Sequence, residues 1–309
     1  MSTEHAAHPM AASRDETRGL MLGTLGVVVF ALTLPMTKLA VGAADVPQLS
    51  PLFVTVGRAA GAGLLSVVYL WLTRAAWPQP AQWRTLAVTA LCVVIGFPLF
   101  LALALRHVES MHGAVVTGVL PLGTAVIGAL MLRQRASLGF WACAIVGFVL
   151  VLAFAWQAGG ALRIADGMLL FAMLSASLGY VIGARLSVEM SAETVICWVL
   201  VLALPFTLPL TLWQWPQHTV SLPAWGGFAY VTLFSMWLGF FAWYRGLALG
   251  GAVRVSQVQL VQPFLSLLFA VPLLGERLQA TTVAFALAVI ATVFISKQMP
   301  IQPAPRSAA

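Results

Sequence analysis

The sequence predicts an all-α membrane protein of ten transmembrane helices, arranged as two five-helix repeats of which the second is inverted. Three observations lead there. Of the 309 residues 61% are apolar and 8% charged, with a mean hydropathy of +0.96, and so few charges cannot give a soluble fold its polar shell. The apolar residues fall in ten runs of about 20 residues, enough to cross about 30 Å of hydrocarbon. Finally, a pattern recurs at a fixed offset, and each copy holds five runs. Barrel strands are excluded, because stretches such as Val199 to Leu204 are apolar on every side and lack alternation. Backbone groups in lipid must then be satisfied within each run, as a helix does.

The first run, 20–42, follows a polar tail (1–19). It is longer than a secretory h-region and lacks a small-residue cleavage site, so it is expected to stay as the first helix. Pro35 interrupts it and Lys38 lies one turn later. That ammonium either snorkels to the headgroups or takes part in gating. Asp45-Val46-Pro47 ends the run.

The second run, 51–73, carries Arg58 seven residues in, about 10 Å deep at 1.5 Å per residue. Gly57 and Gly61 flank it and permit close helix contact, so the guanidinium either caps carbonyls within the protein or faces a cavity as a substrate or gating group. Trp77-Pro78-Gln79-Pro80 closes this hairpin. The third run, 85–105, contains Pro98, and the fourth, 111–132, opens on His112 and contains Pro121. The fifth, 138–157, stops at Ala158-Gly159-Gly160, which ends the first repeat, 20–157.

The second repeat, 167–297, begins with runs 167–186 and 194–213, the latter closed by Gln214-Trp215-Pro216. Tyr180 in the sixth run and Trp237 in the eighth, 224–243, each sit thirteen residues deep. A hydroxyl or indole N–H at that depth needs a partner that lipid cannot supply, so each either lines a cavity or anchors helix packing. Leu249-Gly250-Gly251 separates the eighth run from the ninth, 251–274. There Ser256, Gln259, Gln262, Pro263 and Ser266 share one face, which suits either a wet cavity or a polar seam. The tenth run, 279–296, precedes a tail, 298–309. Trp71, Trp77, Trp83, Trp141 and Trp243 on the inner side and Trp156, Trp213, Trp215 and Trp225 on the outer form interfacial belts, and Cys92, Cys143 and Cys197 read as small packing residues without metal-like spacing.

Loop charge sets the orientation. With the N-terminus inside, cytoplasmic segments hold ten Lys and Arg residues, and outer segments only Arg106, Arg163 and Arg277. Both termini are thus expected in the cytoplasm of an inner or plasma membrane. The net charge of +7 reflects this asymmetry, and with no basic cluster it does not point to nucleic acid.

At an offset of 142 residues, Leu105, Val116, Val119, Pro121, Leu132 and Arg135 fall on Leu247, Val258, Val261, Pro263, Leu274 and Arg277. In both copies a proline precedes a polar turn, Arg133-Gln134-Arg135 or Gly275-Glu276-Arg277. An odd number of spans per copy inverts the second copy. Inverted repeats give a scaffold two near-equivalent shapes with a midplane site, and the paired Pro121 and Pro263 become hinge candidates.

The pattern resembles the EamA-like family of the drug/metabolite transporter superfamily. The resemblance rests on Ala104-Leu105-Arg106 with Pro121, and on Gly246-Leu247-Ala248 with Pro263-Phe264 and Gly275-Glu276-Arg277-Leu278. The first-half turn departs from the family's usual Glu, carrying Gln134 where the second half has Glu276. The resemblance implies ten helices, a central cavity lined mainly by spans 1, 3, 4, 6, 8 and 9, and export of amino acids or other small metabolites.

The function expected is therefore secondary transport, with Arg58, Tyr180, Trp237, Ser256, Gln259 and Gln262 as substrate-binding candidates and Pro121, Pro263 and Lys38 as hinge or gating candidates. No catalytic residue, metal or cofactor is expected. No carboxylate lies mid-span, so the sequence does not support proton coupling. A membrane enzyme would need clustered carboxylates, a His–Asp pair or a metal cluster, and a sensor usually carries an added soluble domain; these are the alternatives. No Gly-Lys-Ser/Thr phosphate loop is present for ATP-driven pumping. The partners expected are the lipid bilayer and a small-molecule substrate, with a homodimer as a candidate assembly.

Overall fold

The computed structural model describes residues 9–131, 135–159, 162–250, 256–299 and 301–302. The expectations that fall on Arg133, Gln134 and the side chain of Ser256 lie outside the described residues. Eight described helices are long and apolar enough to cross a membrane: α1 (Thr17–Val41), α2 (Pro51–Leu72), α3 (Gln82–Leu105), α4 (Ser110–Met131), α5 (Leu138–Gln157), α6 (Ile164–Ser187), α7 (Ala192–Trp213) and α8 (Leu222–Gly246). Two shorter apolar helices follow, α9 (Val258–Leu274) and α10 (Ala280–Ser296). All ten expected runs thus contain helix, with eight of full spanning length. The first helix also extends back to Pro9, into the segment the sequence reads as a tail.

Proline shapes four of the elements. Lacking an N–H, Pro35 leaves the carbonyl of Ala31 without its intrahelical donor, and α1 is broken at Leu32. Ser266 of α9 donates its hydroxyl to that carbonyl at 2.7 Å, so the break in one helix is satisfied by another. Pro98 stands in the first turn of Phe97–Leu105, just after a π-helical stretch, Ala90–Gly96. Pro121 and Pro263 are not mid-helix. Each is the second residue of a new helical segment, Leu120–Met131 or Gln262–Leu274, after a break at Gly118-Val119 or a 3₁₀ stretch at Ser256–Val261. The first turn of a helix is where a missing N–H costs least.

A second π-helical stretch, Val231–Leu238, divides α8. Under the offset of 142 residues, 90–96 fall on 232–238. The irregular helices therefore come in matching pairs, α3 with α8 and α4 with α9.

Close backbone approaches hold α1 against α8. A Cβ on Gly246 would lie 2.6 Å from the Gly23 nitrogen, and one on Gly227 would lie 2.5 Å from the Met36 carbonyl oxygen. Gly246 meets the first half of α1 and Gly227 the second, so the two helices run antiparallel along their length. Small residues at a contact let backbones approach where no hydrophobic drive separates protein from lipid. Helices α2 with α7, α3 with α6 and α5 with α10 form further pairs. Large apolar side chains remain exposed around the outside, among them Leu91, Phe148, Trp156 and Phe206, a surface suited to lipid and not to water.

The two ends of the bundle are tied differently. At one end the Glu276 carboxylate, between α9 and α10, accepts hydrogen bonds from the backbone N–H groups of Ser110 and Met111 at 2.6 and 2.8 Å. It fills orphan donors at the start of α4. At the other end Arg135-Ala136 pairs antiparallel with Ile301-Gln302, and Gln82 donates to Glu189 at 2.7 Å. Also at this end, α2 finishes with Arg74 in the left-handed region, φ 49°. Arg74 N–H bonds the Trp71 carbonyl and Ala75 N–H the Leu70 carbonyl, the Schellman pattern that normally places Gly at this position. An L-residue there costs roughly 1–2 kcal/mol.

Candidate functional site

Seven helices converge on a small internal cavity. Phe30, Thr33 and Leu34 of α1, Arg58 of α2, Val93 and Phe97 of α3, and Thr117 and Leu120 of α4 form one side. Ala176 and Tyr180 of α6, Ser235, Met236 and Phe240 of α8, and Gln262 of α9 complete it. These are the six spans that the resemblance implies, joined by α2 through Arg58. The free space for water centres is about 40 Å³, room for about three waters. A second cavity of about 20 Å³ shares Leu34, Thr117, Leu120 and Gln262, and adds Gln259, Pro121, Pro263 and Ser266.

Arg58 dominates the electrostatics. It is 3% exposed, and its Nη2 donates to the Ser235 hydroxyl at 3.0 Å. Ser235 in turn shares a 2.8 Å hydrogen bond with Thr33. The Arg58 Nε has no partner among the described residues, and the two ion pairs found among them, His112–Asp166 and Arg245–Glu193, do not involve it. A guanidinium offers five donors and a full charge. Among the described residues a single hydroxyl answers it, on a cavity wall that Tyr180 and Gln262 also line.

The structure brings Arg58, Tyr180 and Gln262 to one cavity, and Gln259 with Pro121 and Pro263 to its neighbour. The two prolines line a common space, with Pro263 packed on Gly118, one turn from Pro121. Trp237 lies elsewhere. Its ring packs against Tyr69 and Phe241, at centroid distances of 6.4 and 5.0 Å, within the cluster built around α2 and α7. It falls inside the π-helical stretch and is not among the residues that line either cavity.

Lys38 does not snorkel. Its Nζ donates to the carbonyls of Leu105 and Val108 at 2.6 and 3.0 Å, fastening α1 to the end of α3. The same α3–α4 hairpin receives the Glu276 bonds described above. It also carries His112, whose Nε2 lies 2.6 Å from Asp166 Oδ1 at the start of α6. Asp166 Oδ2 accepts from the Arg163 N–H at 2.8 Å. Burial raises the Glu276 carboxyl above the usual carboxylate range, opposed by its two backbone hydrogen bonds. Burial likewise lowers the Arg106 guanidinium, whose Nη2 donates to the Leu49 carbonyl. One hairpin is thus held by α1, α6 and the α9–α10 turn together.

Thr33, Ser235, Asp166 and the reach of Glu276 were not singled out from sequence. Thr33 and Ser235 stood beside Pro35 and Trp237, and mid-span hydroxyls near a buried arginine are the signal that would have found them. The His112–Asp166 contact joins residues 54 apart, and only the fold reveals it.

The model of the EamA-like transporter family matches twice, over residues 17–156 and 163–297, which is nearly the whole chain in two consecutive copies. The uncharacterized transporter YdeK of Bacillus subtilis (strain 168) is 44% identical over 285 residues, covering 91% of this chain and 98% of that protein. A solved crystal structure superposes with a TM-score of 0.61 at 14% identity, covering 91% of this chain and 98% of that one, a likeness of fold. With apolar helices enough to make it an integral multi-pass membrane protein, and with a family match in each half, this chain belongs to the EamA-like transporter family.

Proposed function

We propose that the chain is a secondary transporter of the inner or plasma membrane that exports small metabolites bearing a carboxylate, amino acids or organic acids, by alternating access. The observation that carries this reading is the buried Arg58, on a cavity wall without a carboxylate partner among the described residues. Burying such a charge is expensive unless it is paired, and a substrate carboxylate supplies the pair, bidentate where geometry allows. Tyr180 and Gln262 offer a hydroxyl and an amide beside it. Ser256, Gln259 and Trp237 complete the candidate set: Gln259 lines the neighbouring cavity from α9, Ser256 begins the 3₁₀ stretch that leads into α9, and Trp237 packs against Tyr69 and Phe241 nearby.

Room for about three waters does not admit a metabolite, so the cavity must widen on one side at a time. The matched breaks of α4 and α9 at Pro121 and Pro263 are suited to that movement, and Lys38 and Glu276 hold one end shut. The inverted relation of the halves is supported by the two sets of end contacts. The Glu276 turn meets the start of α4, and Arg135 beyond the other end of α4 meets the C-terminal strand.

Flux of labelled amino acids and organic acids from proteoliposomes tests the proposal. Arg58→Gln is expected to lower flux at least about tenfold, the worth of one charge-assisted hydrogen bond, with insertion unchanged. Trp237→Ala is expected to lower flux by less than Arg58→Gln does, and to cost less stability than the roughly 3–5 kcal/mol of a fully buried Trp truncation. Undiminished flux in Arg58→Gln, or no flux of any such solute in the wild type, overturns it.

A further inference from the structure

Away from the central cavity, a groove of about 630 Å³ runs between the end of α2 and the start of α7. Val67 and Leu70 of α2 and Val201 of α7 line its apolar part, and Trp71, Trp77 and Arg74 stand toward its polar end. Trp71 and Trp77 are 76% and 77% exposed, the setting in which indoles meet lipid headgroups. Arg74 is exposed and takes part in neither of the two ion pairs found among the described residues. It also occupies a left-handed backbone position that glycine serves without strain. A backbone outlier of this kind is a starting point for a hypothesis of function.

We propose that this groove binds one anionic phospholipid of the adjoining leaflet, an acyl chain lying along Val67 and Val201 and the phosphate held by Arg74. Charge complementarity selects the occupant: the one charged residue lining the groove is cationic and has no carboxylate partner among the described residues, and guanidinium meets phosphate in a planar, two-point contact. The apolar walls belong to the final turns of a membrane-spanning helix and the first turns of its neighbour, where a soluble anion gains nothing and a lipid tail is at home. The inference does not depend on what Arg58 binds.

The test uses the full-length protein in nanodiscs of phosphatidylcholine with a minor fraction of phosphatidylglycerol, followed by delipidation and mass spectrometry of retained lipid. Wild type is expected to enrich phosphatidylglycerol about fivefold over Arg74→Gly, the equivalent of ~1 kcal/mol for one cation at an anionic surface. Because glycine suits the turn, Arg74→Gly should melt at the same temperature or higher, which separates loss of lipid from loss of fold. Val67→Trp, which keeps the charge and fills the groove, should also lose the lipid. Equal retention in wild type and Arg74→Gly overturns the proposal. So does equal retention of phosphatidylcholine, or displacement by inorganic phosphate alone.

Discussion

Glu276 shows how one side chain joins distant parts of this chain. Its carboxylate holds two N–H groups 165 and 166 residues away, while burial raises its proton affinity and the nearby Glu109 raises it further, with Lys38 opposing. For an acid whose folded pKa lies above its unfolded value, the folded state binds the proton more tightly. Stability from this group is therefore fully present below the ordinary carboxylate value and is lost as pH rises through the elevated one. Relative to Glu276→Gln, the wild type is expected to gain thermal stability as pH falls from neutral toward the ordinary carboxylate value. Parallel melting curves for the two proteins across that range would remove the effect. The sequence placed Glu276 at a helix end but gave no hint that it reaches another helix. Arg58 was readable as a buried charge from depth and flanking glycines alone, whereas its partner Ser235 is brought to it by folding from 177 residues along the chain, with Thr33 bonded to Ser235 in turn.

Helix length and apolar content made the ten runs legible, and the paired prolines marked where α4 and α9 break. The π-helical stretches were not legible, because a change from one hydrogen-bond ladder to another leaves no simple pattern of residue types. Trp237 lies in one of them, and depth in the run, by which it was singled out, does not say which neighbours it meets. The closeness of α1 and α8 was equally hidden, since glycine in a membrane helix is common and only the partner reveals its use. Gly246→Ala would set a Cβ 2.6 Å from the Gly23 nitrogen and 2.9 Å from the Gly19 carbonyl oxygen, backbone atoms that cannot swing aside. A loss of about 1–3 kcal/mol, typical of overpacking, is expected. Gly226→Ala, where a Cβ meets nothing within 4 Å, is the control and should be neutral or slightly stabilising. Equal melting temperatures for the two variants would show that the contact yields.

For the molecule as a whole, the offset pattern in the sequence pointed to a duplicated unit, and the family model duly matches each half. Inversion of one half against the other predicts that Cys replacing Arg135 and Cys replacing Arg277 are labelled from opposite sides of the membrane, in a version lacking the native cysteines. Labelling of both from one side would refute it. Neither the tie between Lys38 and the carbonyls of Leu105 and Val108 nor that between His112 and Asp166 could be read from composition, because the first depends on how helices pack within one half and the second on how the halves meet. The small size of the central cavity has a consequence for the resting protein. About three water molecules make no continuous file across a bilayer about 30 Å thick, and the fixed cation of Arg58 repels protons and metal cations from the middle of any such path. On the proposed cycle, this cavity among the described residues therefore offers ions no water-filled leak in the arrangement seen.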